Sequence, residues 1–75
     1  DFGLAKADRV EIKVFDVSGR LVRTLADRHF APGNYSLTWD GADAEGRQVA
    51  RGVYFTQVRH VGQGLAEARK LTILR

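Results

Sequence analysis

Cysteine and methionine are absent from this 75-residue sequence, and proline and tryptophan each occur once. Without cysteine there is no disulfide to brace a small domain, and the cysteine-based zinc and iron–sulfur sites are excluded. The compartment stays open, because cytosolic proteins and exported bacterial proteins that fold without bridges both fit. The missing methionine leads us to expect a piece cut from a longer chain. No apolar run approaches the about 18 residues that would span a membrane. No charged-then-apolar leader opens the sequence, so any export signal is expected upstream. A single domain spanning residues 1–75 buries only about 60% of the surface its unfolded chain exposes. A stability of about 5 kcal/mol is therefore expected.

Charge of one sign is also scarce. Twelve Lys and Arg face nine Asp and Glu, for a net charge of +3. Nine of the twelve cations are Arg, scattered from Arg9 to Arg75, and Asp8, Glu11, Asp16, Asp27, Asp43, Glu45 and Glu67 intervene. A nucleic-acid binder would gather its cations on one face. The scatter reads as a solvated mixed-charge surface and excludes a nucleic-acid partner.

What is present is turn chemistry at short, even spacing: Ser18-Gly19, Pro32-Gly33, Asp40-Gly41, Glu45-Gly46, Gly52 and Gly62 to Gly64. Segments of strand length lie between, which points to an all-β sandwich or barrel. Val10, Ile12 and Val14 alternate with Glu11 and Lys13, so the three apolar side chains share one face. Residues 17–20 read as a two-residue hairpin turn, with Gly19 supplying positive φ and a second strand returning from Leu21 to Leu25. The helical spacing of Leu21, Val22, Leu25 and Ala26 is the competing reading there. Pro32-Gly33 suits a type II turn. Tyr35, Leu37 and Trp39 then alternate with Ser36 and Thr38, the clearest strand pattern in the chain, with both aromatics on its buried face. Residues 40–48 read as a polar loop. Tyr54, Thr56 and Val58 share a face, Phe2 and Leu4 mark a short edge strand, and residues 70–74 form the last strand with Leu71 and Ile73 inward. No internal repeat or low-complexity tract stands out.

Catalytic chemistry finds little to stand on. Asp1-Phe2-Gly3 matches the kinase metal motif by chance, since nothing else of a kinase is present. His29 and His60 read as exposed loop histidines, without a second ligand at metal spacing. No nucleophile, base and orienting group can be assembled, so no enzyme activity and no cofactor are expected. Asp40, Asp43 and Glu45 could hold calcium through oxygen. Their spacing is not that of an EF-hand loop, and short acids fold back onto backbone N–H groups; turn formation is the favoured reading. Trp39 and Tyr54 could stack a sugar, but they occupy the apolar phase of their strands and read as core. Phe15 and Phe55 sit opposite the buried faces and mark a patch for another domain to cover.

Taken together, the stretch from Val14 to Leu25, then Pro32-Gly33, Trp39-Asp40-Gly41, Asp43, Gly46 and Gly52-Val53-Tyr54-Phe55, closing with Arg69-Lys70-Leu71, resembles the FlgD-like immunoglobulin-like domains. That family is named after the flagellar hook-capping protein. Closely similar domains look like the C-terminal sorting domains of the type IX (Por) secretion system. The resemblance covers residues 8–75 and implies an immunoglobulin-like β-sandwich of about seven short antiparallel strands. It implies structural roles for Asp16, Gly19, Trp39, Asp40, Gly41, Asp43, Gly46, Gly52 and Tyr54. In the sorting version, Arg20 and the terminal Lys70, Leu71, Thr72, Ile73, Leu74 and Arg75 are the recognition candidates. The partners would be outer-membrane secretion and attachment machinery, and the destination the cell surface or medium by way of the periplasm. The alternative is a structural or adhesive module of the hook-cap type, packing against an upstream domain of its own chain. The long stretch from Trp39 to Gly46 is closer to that type. An open sheet edge also leads to the expectation of self-pairing.

Overall fold

The alternation from Val10 to Val14 is realised as a strand with one dry face: Val10 and Val14 are 0% exposed and Ile12 is buried. A computed structural model describes residues 2–74. Six strands follow in order: β1 (Phe2–Leu4), β2 (Asp8–Asp16), β3 (Leu21–Phe30), β4 (Gly33–Tyr35), β5 (Gly52–His60) and β6 (Leu65–Ile73), with one 3-10 turn at Val61–Gln63. All pairings are antiparallel, in a four-stranded sheet of order β3-β2-β5-β6 and a two-stranded sheet β1-β4. The chain is thus nearly all-β, in the manner of an immunoglobulin-like sandwich. Residues 40–48 add only an isolated bridge between Ala42 and Gln48, so six strands stand among the described residues where about seven were expected.

The small sheet covers one end of the large one. Leu4, Val10, Ile12 and Phe30 form the core cluster, with Phe2, Leu25, Ala26, Tyr35 and Val58 packed against it. Three rings lock this end: Phe2 stacks on Tyr35 at 5.3 Å, and Phe30 meets Phe2 edge-on at 5.2 Å and Tyr35 at 4.8 Å. The Arg28 guanidinium lies 3.8 Å over the Phe30 ring, a cation–π contact that caps the cluster. Trp39 meets Tyr54 edge-on at 5.3 Å and donates its indole N–H to the Ala42 carbonyl at 2.8 Å, closing the other end.

Several local expectations are corrected. The strand expected through Tyr35, Leu37 and Trp39 stops at Tyr35. β1 spans only three residues, and its register sets Phe2 against Tyr35. Beyond that point residues 36–40 have no partner strand among the described residues, and alternation without a ladder does not make a strand. Leu37 is consequently exposed and Trp39 only half-buried. Gly33 has φ of 149°, far from the type II corner value of about +80°. It opens β4, and the Tyr35 hydroxyl closes the bend on the Ala31 carbonyl at 2.6 Å. Residues 21–30 are strand throughout, so the helical reading is set aside. β6 begins at Leu65 rather than Lys70. His29 lies in β3, exposed, and His60 ends β5 half-buried, with its Nδ1 enclosed and unbonded. Asp8 is a buried carboxylate: its Oδ1 accepts from the Arg9 and Gly62 N–H groups, each at 2.8 Å, and so ties the start of β2 to the 3-10 turn.

Phe30 is the side chain on which the covered end depends most. Phe30→Ala is expected to cost about 3–5 kcal/mol, enough to unfold most of a domain this small; Val17→Ala, in an exposed turn, is expected within about 0.5 kcal/mol of the parent. Chemical denaturation monitored by circular dichroism measures both. Equal midpoints for the two variants would contradict the placement of the core.

Candidate functional site

The hairpin joining β2 to β3 is built on Asp16-Val17-Ser18-Gly19-Arg20. The Gly19 N–H donates to the Asp16 carbonyl at 3.0 Å, and the Asp16 N–H donates to the Arg20 carbonyl at 3.0 Å. Gly19 has φ of 86°. This is a three-residue loop with a left-handed glycine, one residue longer than the sequence suggested. The Asp16 carboxylate holds it from inside: Oδ1 accepts from the Ser18 and Arg20 N–H groups at 3.0 Å each and from the Ser18 hydroxyl at 2.7 Å.

The same device recurs at Asp43-Ala44-Glu45-Gly46-Arg47. Gly46 donates to the Asp43 carbonyl at 3.0 Å, Asp43 donates to the Arg47 carbonyl at 2.8 Å, and Gly46 has φ of 83°. Asp43 Oδ1 accepts from the Glu45 and Arg47 N–H groups at 2.9 and 3.0 Å. Each turn is followed by an Ala-x-Gly-x-Tyr segment whose Tyr hydroxyl bonds the Ala carbonyl, Tyr35 to Ala31 at 2.6 Å and Tyr54 to Ala50 at 2.7 Å. The glycines between them, Gly33 and Gly52, have φ of 149° and 146°, a region that side chains disfavour. The chain therefore does contain a short internal recurrence, Asp-x-x-Gly-Arg followed by Ala-x-Gly-x-Tyr. Comparing the sequence with itself over five-residue windows would have found it.

The two Asp turns face each other across a polar cleft of ≈ 340 Å³, lined by Asp16, Arg20, Asp43, Glu45 and Arg47 with Tyr54 behind. The Ala44 N–H, donating to the Val22 carbonyl at 3.2 Å, seats the second turn on β3. Both carboxyls titrate below their ordinary 3.8. For Asp16 the main cause is the Ser18 hydroxyl, then the Arg20 N–H; for Asp43 it is the Arg47 N–H, assisted by that of Glu45. The calcium candidates are occupied in this way. Asp40 Oδ1 accepts from Arg23 at 3.1 Å and from the Ala42 N–H at 3.0 Å, Asp43 holds its turn, and Glu45 pairs with Arg47. Among the described residues no three His, Asp or Glu side chains come together as a metal-holding group.

The outer face of the large sheet presents a different surface. Pairing registers set Leu21 opposite Phe15, Phe15 opposite Phe55 and Phe55 opposite Lys70, a single row across β3, β2, β5 and β6. Phe55 is 37% exposed, Leu21 is exposed, and Val17 in the adjoining turn is 72% exposed. The patch expected from Phe15 and Phe55 is thus one surface, and sequence reasoning missed that Leu21 extends it. Of the recognition candidates, Arg20 is exposed in the hairpin, Lys70 and Thr72 are exposed on β6, Leu71 and Ile73 are half-buried, and Leu74 is 85% exposed. Arg75 and Asp1 lie outside the described residues. Arg20 and the β6 residues do not converge, except that Lys70 ends the aromatic row that starts beside the hairpin.

The geometry is that of an all-β domain whose Asp16 and Asp43 carboxylates hold turns and whose outer sheet face carries Leu21, Phe15 and Phe55 in one row. Comparison with known proteins agrees: the family model described as "FlgD Ig-like domain" matches residues 3–64. The chain belongs to the FlgD Ig-like domain family. Two curated relatives, the basal-body rod modification protein FlgD of Salmonella typhimurium (strain LT2) and that of Salmonella typhi, are each 40% identical to it over 48 residues. The aligned part is 64% of this chain and 21% of each relative, so the chain corresponds to about a fifth of their length. No solved structure matches.

Two measurements test this reading of the turns. A carboxyl whose folded pKa lies below its unfolded value adds stability above the unfolded value, and that stability is lost as pH falls through the folded one. The melting temperature of the chain should therefore drop from about pH 5 downward, and less steeply in the double variant D16N/D43N; identical slopes would refute the turn-holding role. Millimolar calcium should leave the melting temperature unmoved, since each candidate carboxylate already holds a backbone N–H or an arginine. A rise that D43N abolishes would restore the metal reading.

Proposed function

We propose that the chain is a non-catalytic, immunoglobulin-like packing module that docks through the outer face of its larger sheet onto a neighbouring domain of an exported parent protein. The observation that carries this reading is the row Leu21, Phe15 and Phe55, joined in register across three strands and left on the solvent side. An apolar row of this kind is what a protein partner covers, with Lys70 and the hairpin Arg20 as its charged rim. Family membership supports the reading, and so does the name of the relatives, which refers to modifying a basal-body rod and so to assembly rather than to a reaction. A structural module of an exported assembly protein thus replaces the sorting tag as the leading interpretation.

Type IX sorting is a second reading. Its support is the exposure of Lys70, Thr72 and Leu74, whose side chains are open to a receptor. Its test is export of a reporter fused to this chain in a type IX-competent host. Equal export with and without residues 71–75 removes it.

The docking proposal predicts the accessibility of named rings. Hydroxyl-radical footprinting should label Phe15 and Phe55 in the isolated chain and find them protected in the longer protein, while Leu74 changes independently. Equal labelling in both settings would overturn the docking face.

A further inference from the structure

The two edges of the large sheet are unlike. β3 is blunted: its pairing with β2 shifts register twice, between Ile12 and Lys13 and between Val14 and Phe15, and the second Asp turn bonds its Val22 carbonyl. β6 is a regular nine-residue edge, paired with β5 without interruption from Gly52 opposite Ile73 to His60 opposite Leu65. It contains no proline or bulge, and residues 65–70 are exposed. Edges of this kind are templates for another strand.

We propose that two copies of the chain associate by antiparallel pairing of β6 with β6, about a two-fold axis through Ala68. The second copy is identified by charge complementarity in one of the registers that the sheet allows. Glu67, Arg69 and Leu71 line the inner groove with Thr56 and Val58, so Leu65 and Ile73 share that face and Ala66, Ala68, Lys70 and Thr72 take the other. A joined sheet keeps its inner faces on one side only when the axis passes through a residue, because a one-residue slip turns every side chain over.

An axis at Glu67 sets two carboxylates opposite each other. Axes at Arg69 and Lys70 each set a cation against itself. The axis at Ala68 places Glu67 of each copy opposite Arg69 of the other, twice, with a methyl group at the centre. It also sets Leu65 opposite Leu71 and Lys70 opposite Ala66. Opposite-charge cross-strand pairs stabilise a sheet and like charges destabilise it. Leu65, 56% exposed in the single chain, would gain an apolar neighbour, and the ≈ 300 Å³ inner grooves of the two copies would adjoin along the seam.

This surface meets the outer-face row only at Lys70, and Glu67 and Arg69 lie on the opposite face, so their substitution tests the pairing apart from the docking reading. Analytical ultracentrifugation of the chain should show a monomer–dimer equilibrium. E67R and R69E should each weaken the dimer by about tenfold or more, because two attractive pairs become two repulsive ones. The double variant E67R/R69E should restore it. An equimolar mixture of E67R with R69E should form a heterodimer tighter than either homodimer, since every cross-strand pair in it is again of opposite sign. Circular dichroism should remain that of the parent throughout, both positions being exposed. A parent that stays monomeric at millimolar concentration overturns the proposal. So does a dimer that survives both single variants, or one that F55S abolishes, which would place the contact on the outer face.

Discussion

Everything in this domain depends on burying one face of a single central strand. β2 lies between β3 and β5, and its Val10, Ile12 and Val14 are removed from water on the inner side. Because side chains alternate, that one choice decides the face of every neighbour in register: Thr56 and Val58 turn inward on β5, and Phe15, Phe55 and Leu21 turn outward. The outer aromatic row is therefore a consequence of how the core is built. It persists at the surface because β2 cannot be turned over without exposing its valines.

The small sheet covers only part of what β2 organises. Strands of nine residues run about 30 Å, whereas β1 and β4 have three residues each. The molecule is correspondingly long, 37 × 20 × 19 Å. Rings close one end and the Trp39–Tyr54 contact closes the other, with an apolar groove between them. Turns do the remaining work. The paired Asp-x-x-Gly-Arg loops and paired Ala-x-Gly-x-Tyr bends use short carboxylates and phenol hydroxyls to satisfy backbone groups that a larger core would otherwise enclose. A domain without cysteine is stapled here by side-chain-to-backbone bonds.

The sequence disclosed those parts that depend on local periodicity. The alternation through Val10, Ile12 and Val14, the hairpin at Gly19, and the opposed phases of Tyr54 and Phe55 are visible in residue order, and each is realised. The failure at residues 35–39 has a different origin. Their alternation is as clean as that of β2, but a strand needs a neighbour, and the register of β1 supplies none past Tyr35. Pairing also decided that Phe15 meets Phe55 and that Leu21 joins them, which no single stretch of sequence shows. The acids at 40, 43 and 45 looked like ligands when counted along the chain. In space their oxygens face backbone N–H groups and arginines.

The central claim, that β2 anchors the fold and that the cover beyond Tyr35 is unladdered, is tested most directly by native-state amide hydrogen exchange. The account predicts that amides of Ile12 and Val14 exchange slowest, at the rate set by global unfolding, with those of β5 beside them. Residues 36–38 should exchange fast, through local openings. Protection at residues 36–38 equal to that of β2 would contradict it.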